Sequence, residues 1–168
     1  SGSILFSLDD RFIFYSKLDE NHRPKKIFRH EIGKSIKEDL LIFEERTPAF
    51  TVSIGISADE KYYFINSSDH NTSEKYYFKS NESLPKPKIV RKREKGIIYS
   101  VSSWGGYFYI HTNKGAEDFK IERSRDIEAS EWEVFIPAKN ETMIGGLTFL
   151  KNWIIRSELN NALDKIFV

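Results

Sequence analysis

Nucleophilic catalysis by serine is the first chemistry to test, because hydrolases of one large class display the nucleophile in a G-x-S-x-G turn between a strand and a helix. No pentapeptide of that form occurs between Ser1 and Val168. The closest segment is Ser102-Ser103-Trp104-Gly105-Gly106, which lacks the first glycine. Its surroundings predict a strand followed by a turn, with no helix behind it. We therefore assign no catalytic residue.

The histidines and one aspartate are the candidate metal ligands. They are scattered along the chain, and none shows the short H-x₃-H spacing of a metal site. The chain has no cysteine, so thiolate ligands and disulfides are excluded. Positions in turns and at strand ends explain these residues better, and we expect neither a metal nor a cofactor. The candidates are His22, His30, His70, His111 and Asp69.

Two sets of residues are candidates for nucleic-acid contacts. A basic run has the charge to touch phosphates, but a charged outermost strand that resists edge-to-edge pairing explains it better. Two tyrosine pairs flanked by lysines have rings that could stack on bases, but neighbouring residues in a strand face opposite sides, which favours core packing. The basic residues are Lys86, Lys88, Arg91, Lys92, Arg93 and Lys95; the tyrosines are Tyr62, Tyr63, Tyr76 and Tyr77.

The elements that must position these residues are short strands in a repeating order. Each repeat has an aromatic second strand, and the first aromatic residues, Phe12, Tyr62, Tyr107 and Trp153, lie 50, 45 and 46 residues apart. A four-stranded unit that recurs every 40–50 residues or so is typical of a β-propeller blade. A β-sandwich, the alternative, also has many short strands but requires no constant period.

The repeats predict an all-β fold: a partial β-propeller with about three four-stranded antiparallel blades and three strands of a fourth. The approximate blades are residues 3–46, 50–94, 96–138 and 142–168. Helix should be nearly absent, and Lys34 to Leu41 is the one place where a short helical turn fits the spacing of apolar residues.

Composition sets further limits. The 168 residues suffice for one ordinary domain, and the 39% hydrophobic and 14% aromatic shares can build a packed core. The net charge of +1 gives no overall attraction to nucleic acid or to an acidic membrane. No apolar run approaches the roughly 18 residues of a membrane span, and no signal peptide is visible. We expect neither a membrane nor a nucleic acid as partner.

Several stretches, in their order and spacing, carry a family resemblance. The chain resembles the N-terminal propeller of the prolyl oligopeptidase family, in its oligopeptidase B or protease II branch, over nearly its whole length. The stretches are Leu18 to Pro24 with Arg29-His30, Ile42-Phe43-Glu44-Glu45, Asn71-Thr72-Ser73-Glu74, and Trp132-Glu133 followed by Ile136-Pro137.

The resemblance implies a cytoplasmic serine peptidase that cleaves short peptides after Arg or Lys. Its propeller would cap an α/β-hydrolase domain of the same parent chain, and would admit substrates by size. In that setting Asp19, Glu20, Glu44 and Glu45 could line a path for basic peptides, although solvated acids are the simpler interpretation. The competing hypothesis is a free-standing propeller or sandwich that binds a protein or a nucleic acid.

Self-association is a further expectation. A propeller cut to about half a ring leaves the face of its first blade uncovered, with Phe12, Phe14, Ile27 and Phe28 among the residues laid bare. It also leaves a free apolar edge at Lys165 to Val168, which favours pairing with another chain. We therefore expect a homodimer or a strand-exchanged oligomer.

Overall fold

The computed structural model describes residues 2–168, which form fifteen β-strands in four antiparallel sheets. The first sheet contains β1 (Ile4–Phe6), β2 (Phe12–Leu18), β3 (Pro24–Glu31) and β4 (Leu40–Glu44). The second contains β5 (Thr51–Ile56), β6 (Tyr62–Ser68), β7 (Ser73–Lys79) and β8 (Lys88–Arg91). The third contains β9 (Tyr99–Trp104), β10 (Tyr107–Thr112), β11 (Lys120–Ser124) and β12 (Glu133–Ile136). The fourth contains β13 (Thr142–Phe149), β14 (Ile154–Asn160) and β15 (Leu163–Phe167).

The strands pair only with their neighbours in sequence. Three sheets have four strands and one has three, all in meander order. Greek-key connections, which most β-sandwiches contain, would instead pair strands that are distant in the chain. The predicted all-β, blade-like architecture is confirmed, and the sandwich is not favoured.

Helical structure is confined, among residues 2–168, to one 3₁₀ turn at Ile36–Glu38. It lies inside the segment where a short helical turn was predicted, and the hydroxyl of Ser35 caps it by accepting a hydrogen bond from the backbone N–H of Lys37. Within the described part of the chain, no helix has the length and apolar character needed to cross a membrane.

The chain divides into two compact units, the first ending at Lys95 and the second running from Gly96 to Val168. In the first unit, the first and second sheets enclose a core of aromatic and branched aliphatic side chains. Within this core, the ring centroid of Phe14 lies 4.8 Å from that of Tyr63 and 5.7 Å from that of Phe78. The buried members are Phe14, Ile27, Ile42, Val52, Ile54, Tyr63, Ile65 and Phe78.

This core corrects the prediction of which residues of the first sheet lie bare. Phe14 and Ile27 are 3% and 0% exposed, because strand alternation turns both toward the second sheet. Phe12 and Phe28 are half-buried. The side chains that do lie open on this sheet include Ile4, Phe6 and Leu41. The expected self-association stays a prediction, since the structure contains one copy of the chain.

The second unit has a smaller core between the third and fourth sheets. Its buried members are Tyr109, Ile121, Ile136 and Ile144. Phe149 packs on the ring of Tyr109 at 5.1 Å between centroids and stacks on that of Trp104 at 5.8 Å. Each unit thus has its own apolar contact between two sheets.

Candidate functional site

A buried ionic network joins polar side chains of the first unit. Arg93, which follows β8, bridges two carboxylates through its Nη2 atom, 2.6 Å from Oε2 of Glu45 and 2.7 Å from Oε2 of Glu74. Its backbone N–H also donates to Oε1 of Glu74, at 3.0 Å. Ser67 donates its hydroxyl to Oε2 of Glu45 at 2.5 Å. One guanidinium thus joins the end of the first sheet to the second.

The strands dictate this meeting of charges. Glu74 lies on the same face of β7 as Tyr76 and Phe78, which both pack in the core between the sheets. Ser67 likewise follows Tyr63 and Ile65 on β6. As a result Glu45 and Glu74 are only 6% and 5% exposed, and they need the cation because an unpaired buried carboxylate is very costly.

The network shifts the acidity of its members. Burial alone would raise the pKa of Glu45, but hydrogen bonds from Ser67, Arg93 and Thr47 outweigh it and lower that pKa to about 2. Burial likewise opposes ionisation of Glu74, yet Arg93 and Tyr76 hold its pKa below the ordinary value. Burial and the hydrogen bond to Glu74 raise the pKa of Tyr76 to about 12. Both acids are therefore ionised at neutral pH, and neither is poised to transfer a proton.

Lys25 fixes the connector between the first two sheets. Its ammonium group, on a residue that is 8% exposed, donates to the carbonyl oxygens of Thr47 at 2.7 Å and Pro48 at 2.9 Å, and also to that of Phe50. The backbone N–H of Glu45 donates to the carbonyl of Lys25 at 2.8 Å. The guanidinium of Arg93 lies 4.1 Å from the centroid of the Phe50 ring. The connector is consequently held from both ends.

A second polar cluster lies within the first sheet. Asp39, whose side chain is 5% exposed, accepts hydrogen bonds from the hydroxyl of Tyr15 at 2.6 Å and from Nδ1 of His30 at 2.7 Å. Burial and the bond to Asp39 raise the pKa of Tyr15 to about 12. Although burial opposes ionisation of Asp39, its two partners lower its pKa. The cluster anchors the 3₁₀ turn to the sheet, and no serine hydroxyl bonds to His30 among the residues described.

The second unit joins its sheets through a histidine. Nε2 of His111, on β10, lies 2.7 Å from the carbonyl oxygen of Ile144 on β13, and the backbone N–H of Ile144 donates to the carbonyl of Asp118 at 2.8 Å. Phe119 stacks on the imidazole with 4.6 Å between ring centroids. Burial lowers the pKa of His111 despite this hydrogen bond, so the ring is neutral and Nε2 carries the donated proton.

The acidic residues proposed as a lining for basic peptides have other partners. Glu45 is neither a lining residue nor a solvated acid, since it belongs to the buried network. Glu44 pairs with Lys26 at 3.0 Å and with Arg46 at 3.6 Å. Asp19 accepts the backbone N–H groups of Asn21 and Arg23, each at 2.9 Å, and Glu20 is exposed.

The basic run divides in the same way. Lys86, Lys88, Lys92 and Lys95 are exposed, as a charged outer strand predicts, and Arg91 is partly buried. Arg93 differs because it enters the network, and the sequence-based interpretation missed this role. The sequence did contain a signal for this role. Glu74 lies two positions before Tyr76 and therefore on the same face of the strand, so a core position at Tyr76 predicts a buried charge at Glu74 that requires a partner.

The tyrosines pack as alternation predicts. Tyr63 and Tyr76 lie in or against the core between the first two sheets. Tyr62 and Tyr77 lie on the opposite face of the second sheet, with their ring centroids 6.1 Å apart. Core packing therefore explains both pairs.

The structure brings together neither a metal site at the histidines, among residues 2–168, nor a strand-to-helix turn at Ser102 to Gly106. Among residues 2–168, no group of three or more histidine, aspartate and glutamate side chains is placed to hold a metal. His22 and His70 lie exposed in turns. Trp104 and Tyr107 pair directly around Gly105 and Gly106, whose φ values are +59° and +79°. This is a two-residue hairpin of the kind that glycine pairs favour, and a strand, not a helix, follows it.

Consecutive four-stranded meanders with apolar contacts between neighbouring sheets define the class of the fold as a β-propeller. The family model for the N-terminal β-propeller domain of prolyl oligopeptidase matches residues 2–168. The chain therefore belongs to the prolyl oligopeptidase family, as a segment of its propeller domain.

Individual relatives agree with this assignment. The chain is 38% identical over 167 residues to Protease 2 of Moraxella lacunata, a match that covers 99% of this chain and 24% of that protein. It is 26% identical to dipeptidyl aminopeptidase BI of Pseudoxanthomonas mexicana, covering 99% and 23%. The closed form of oligopeptidase B from Trypanosoma brucei with bound antipain superimposes with a TM-score of 0.90 at 26% identity, covering 98% of this chain and 24% of that one. The chain thus spans about a quarter of the length of these relatives.

Proposed function

We propose that this chain is the propeller segment that filters substrates by size in a serine oligopeptidase resembling oligopeptidase B. In the proposal, the hydrolase domain belongs to the same parent chain, and the substrates are short peptides cleaved after Arg or Lys. The propeller moves against the hydrolase domain to admit them, a form of gating that limits access in many enzymes. We place the protein in the cytoplasm, which suits a chain without cysteine.

The observation that carries the proposal is the match of the propeller family over residues 2–168. The ionic network supports it physically. A size filter works only if neighbouring blades resist being pushed apart, and Arg93 joins the two sheets of the first unit at two buried carboxylates. Neither nucleic acid nor a membrane is part of the proposal, and the free-standing binding module is not favoured.

A chimera tests the filter. This chain replaces the matching segment of Moraxella lacunata Protease 2, and hydrolysis is measured for a short peptide with Arg at P1 and for an unfolded protein. We expect the chimera to cleave the peptide and spare the protein. Arg93→Met should raise cleavage of the protein relative to the peptide, because it frees the sheets to part, whereas Lys92→Met should leave the ratio unchanged. A chimera that cleaves both substrates equally well, or a ratio that Arg93→Met leaves unaltered, contradicts the filter.

The isolated chain provides a second test. Its sequence has no G-x-S-x-G turn to display a nucleophile, so we expect no turnover of a chromogenic substrate with Arg at P1. Turnover that survives purification and disappears when one of the chain's own serines is replaced would contradict this expectation.

A further inference from the structure

An open pocket lies between the hairpins of the first two sheets. It has a volume of about 580 Å³ and is bounded by three segments: the β2–β3 turn, the connector between the sheets, and the β6–β7 turn. Arg23 comes from the first segment, Ala49 from the second, and Ser68 to Asn71 from the third; Thr51, where β5 begins, also lines the pocket. The pocket is distinct from the buried network, and the inference below does not rest on the proposed peptidase role.

Side chains hold all three walls in place. Oδ1 of Asp19 fixes the first turn by accepting the backbone N–H of Arg23, and Oδ1 of Asp69 fixes the third by accepting those of Asn71 at 3.0 Å and Thr72 at 2.8 Å. The ammonium group of Lys25 holds the connector by donating to the carbonyl oxygens of Thr47 and Pro48. A site whose walls are already ordered loses little conformational entropy when a ligand binds.

Arg23 gives the pocket its chemistry. Its Nη1 donates to the carbonyl oxygen of Pro48 at 3.2 Å, which steadies the guanidinium against the connector. Within residues 2–168, no carboxylate forms an ion pair with it. The backbone N–H groups of Arg23 and Asn21 engage Asp19, and the hydrogen bond from Arg23 is the main cause that lowers the pKa of this acid. A guanidinium has five N–H donors in a planar fork that matches a carboxylate. Most of these donors remain for a ligand.

The other polar groups complete a site of mixed character. Thr51 donates its hydroxyl to the carbonyl of Ser68 at 3.4 Å, while the hydroxyl of Ser68 accepts from the side-chain amide of Asn66 at 3.1 Å. His70 is exposed at the rim. The one acid in the lining, Asp69, directs its Oδ1 toward backbone N–H groups, which reduces its repulsion of an anion.

We propose that this pocket binds a carboxylate group, with Arg23 as the residue that recognises it. The carboxylate has two possible sources, the free C-terminus of a peptide and an acidic side chain of another protein domain. The same guanidinium geometry serves both, and the experiment separates them.

The test is an NMR titration of the ¹⁵N-labelled chain with three probes. The first is an N-acetylated dipeptide with a free C-terminus, the second is its C-terminal amide, and the third is an amidated peptide with one glutamate. We expect a carboxylate probe to shift the amide signals of Arg23, Ala49 and Thr51, with a dissociation constant on the order of millimolar for so small a ligand. Binding of the first probe alone identifies a peptide terminus as the ligand, and binding of the third admits an acidic side chain.

Variants locate the binding. Arg23→Gln should weaken it by about tenfold or more, as expected for loss of a charge-assisted fork; the turn survives because Asp19 binds the backbone of residue 23. Asp69→Asn keeps the oxygen that caps its turn but removes the charge, and should tighten binding. Arg125→Gln, an exposed arginine of the second unit, is the matched control and should change nothing. Equal shifts with the amide probe, no shifts with any probe, or binding that Arg23→Gln leaves unaltered would each overturn the proposal.

Discussion

The two units use the same sheet architecture but different chemistry between their sheets. In the first unit, ions buried between the sheets form the polar link, with Arg93 between Glu45 and Glu74. In the second, His111 and the backbone of Ile144 form neutral hydrogen bonds across the sheets. Glu158, a buried acid of the second unit, pairs with Arg156 of its own strand and with Lys139 just before the fourth sheet. The two units thus share the way in which sheets meet but differ in the side chains that link them.

The hairpins that join the first two strands of a sheet also differ between the two units. In the first unit, Ser7 and Ser57 each donate to an aspartate two residues on, at 2.6 Å and 2.8 Å, and each accepts the N–H of the residue that begins the next strand. The next turn residue is Asp10 or Glu60, at φ +55° and +58°. In the third sheet, Gly105 and Gly106 perform the reversal without side-chain bonds of this kind among the described contacts. In the first unit, a residue other than glycine adopts a left-handed backbone conformation, and side chains hold the turn in place. In the turn of the third sheet, glycines adopt this conformation without strain.

The largest effect should come from removing the cation of the first unit. Arg93→Met leaves Glu45 and Glu74 buried without their partner, and breaking such a pair costs about 3–5 kcal/mol. Because the Arg93 side chain is 28% exposed, we expect about 3 kcal/mol, toward the lower end of that range. Hydrogen exchange of β5 to β8 measures it. Lys92→Met, at an exposed neighbour, is the control, and an equal loss there would mean that the network is not what stabilises the sheets.

Tryptophan fluorescence sharpens the contrast, since Trp104, Trp132 and Trp153 all lie in the second unit. Arg93→Met should therefore cause a larger loss of unfolding free energy in the first unit, measured by hydrogen exchange, than in the second unit, measured by denaturation followed by tryptophan fluorescence. Equal losses in both units would mean that they unfold together, which contradicts a stabilising effect confined to the first unit.

The second-largest effect should be a loss of stability of the first unit at acidic pH. The pKa of Glu45 is about 2 in the fold, against an ordinary value of 4.5. A lowered carboxylate pKa contributes stability that is fully present above the ordinary value and is lost as pH falls through the folded value. We expect a loss of about 3 kcal/mol at most between these limits. Glu45→Gln should flatten this part of the pH profile measured by hydrogen exchange, and an unchanged profile would assign the acid sensitivity to other groups.

A smaller pH effect is expected in the second unit, at higher pH. Burial lowers the pKa of His111 from its ordinary 6.5, so the unfolded chain takes up a proton before the folded one does. Stability should fall as pH decreases from 6.5 toward the lowered value and then level off. Urea denaturation followed by tryptophan fluorescence, at neutral and mildly acidic pH, measures the change. His111→Gln retains a donor for the Ile144 carbonyl and should remove the dependence; a dependence that persists would point to a different titrating group.

The turns should give the smallest effects. Ser57→Ala removes two hydrogen bonds from the first-unit turn and should cost about 1 kcal/mol. Gly105→Ala forces a side chain into a left-handed conformation and should cost a similar amount, about 1 kcal/mol. Ala58→Ser, at an exposed turn position, should stay within about 0.5 kcal/mol. Thermal denaturation compares the three, and a neutral Ser57→Ala would show that the serine scaffold does not stabilise the hairpin.

Much of the fold could be predicted from the sequence because its signals are local. Alternation of apolar residues and the turn residues between them place strands such as Tyr62–Ser68 and Tyr107–Thr112, and the 45–50-residue spacing gives the repeat. Alternation also separated Tyr62 from Tyr63 correctly. Phe14 and Ile27 were misplaced because local sequence gives the two faces of a strand but not which face a neighbouring sheet covers.

The sequence by itself thus determined the all-β class, the number of strands in each sheet and the family, since each depends on residue types at short spacing or on a repeated order. Only the tertiary structure decided that Arg93 leaves its basic run to meet Glu45 and Glu74, and that Arg23 faces a pocket formed with residues from Ala49 to Asn71. These contacts join positions 19 to 48 residues apart. Which charges meet across that separation depends on how two sheets pack, and the energy of burying a charge is set by the packed environment and not by the sequence around it.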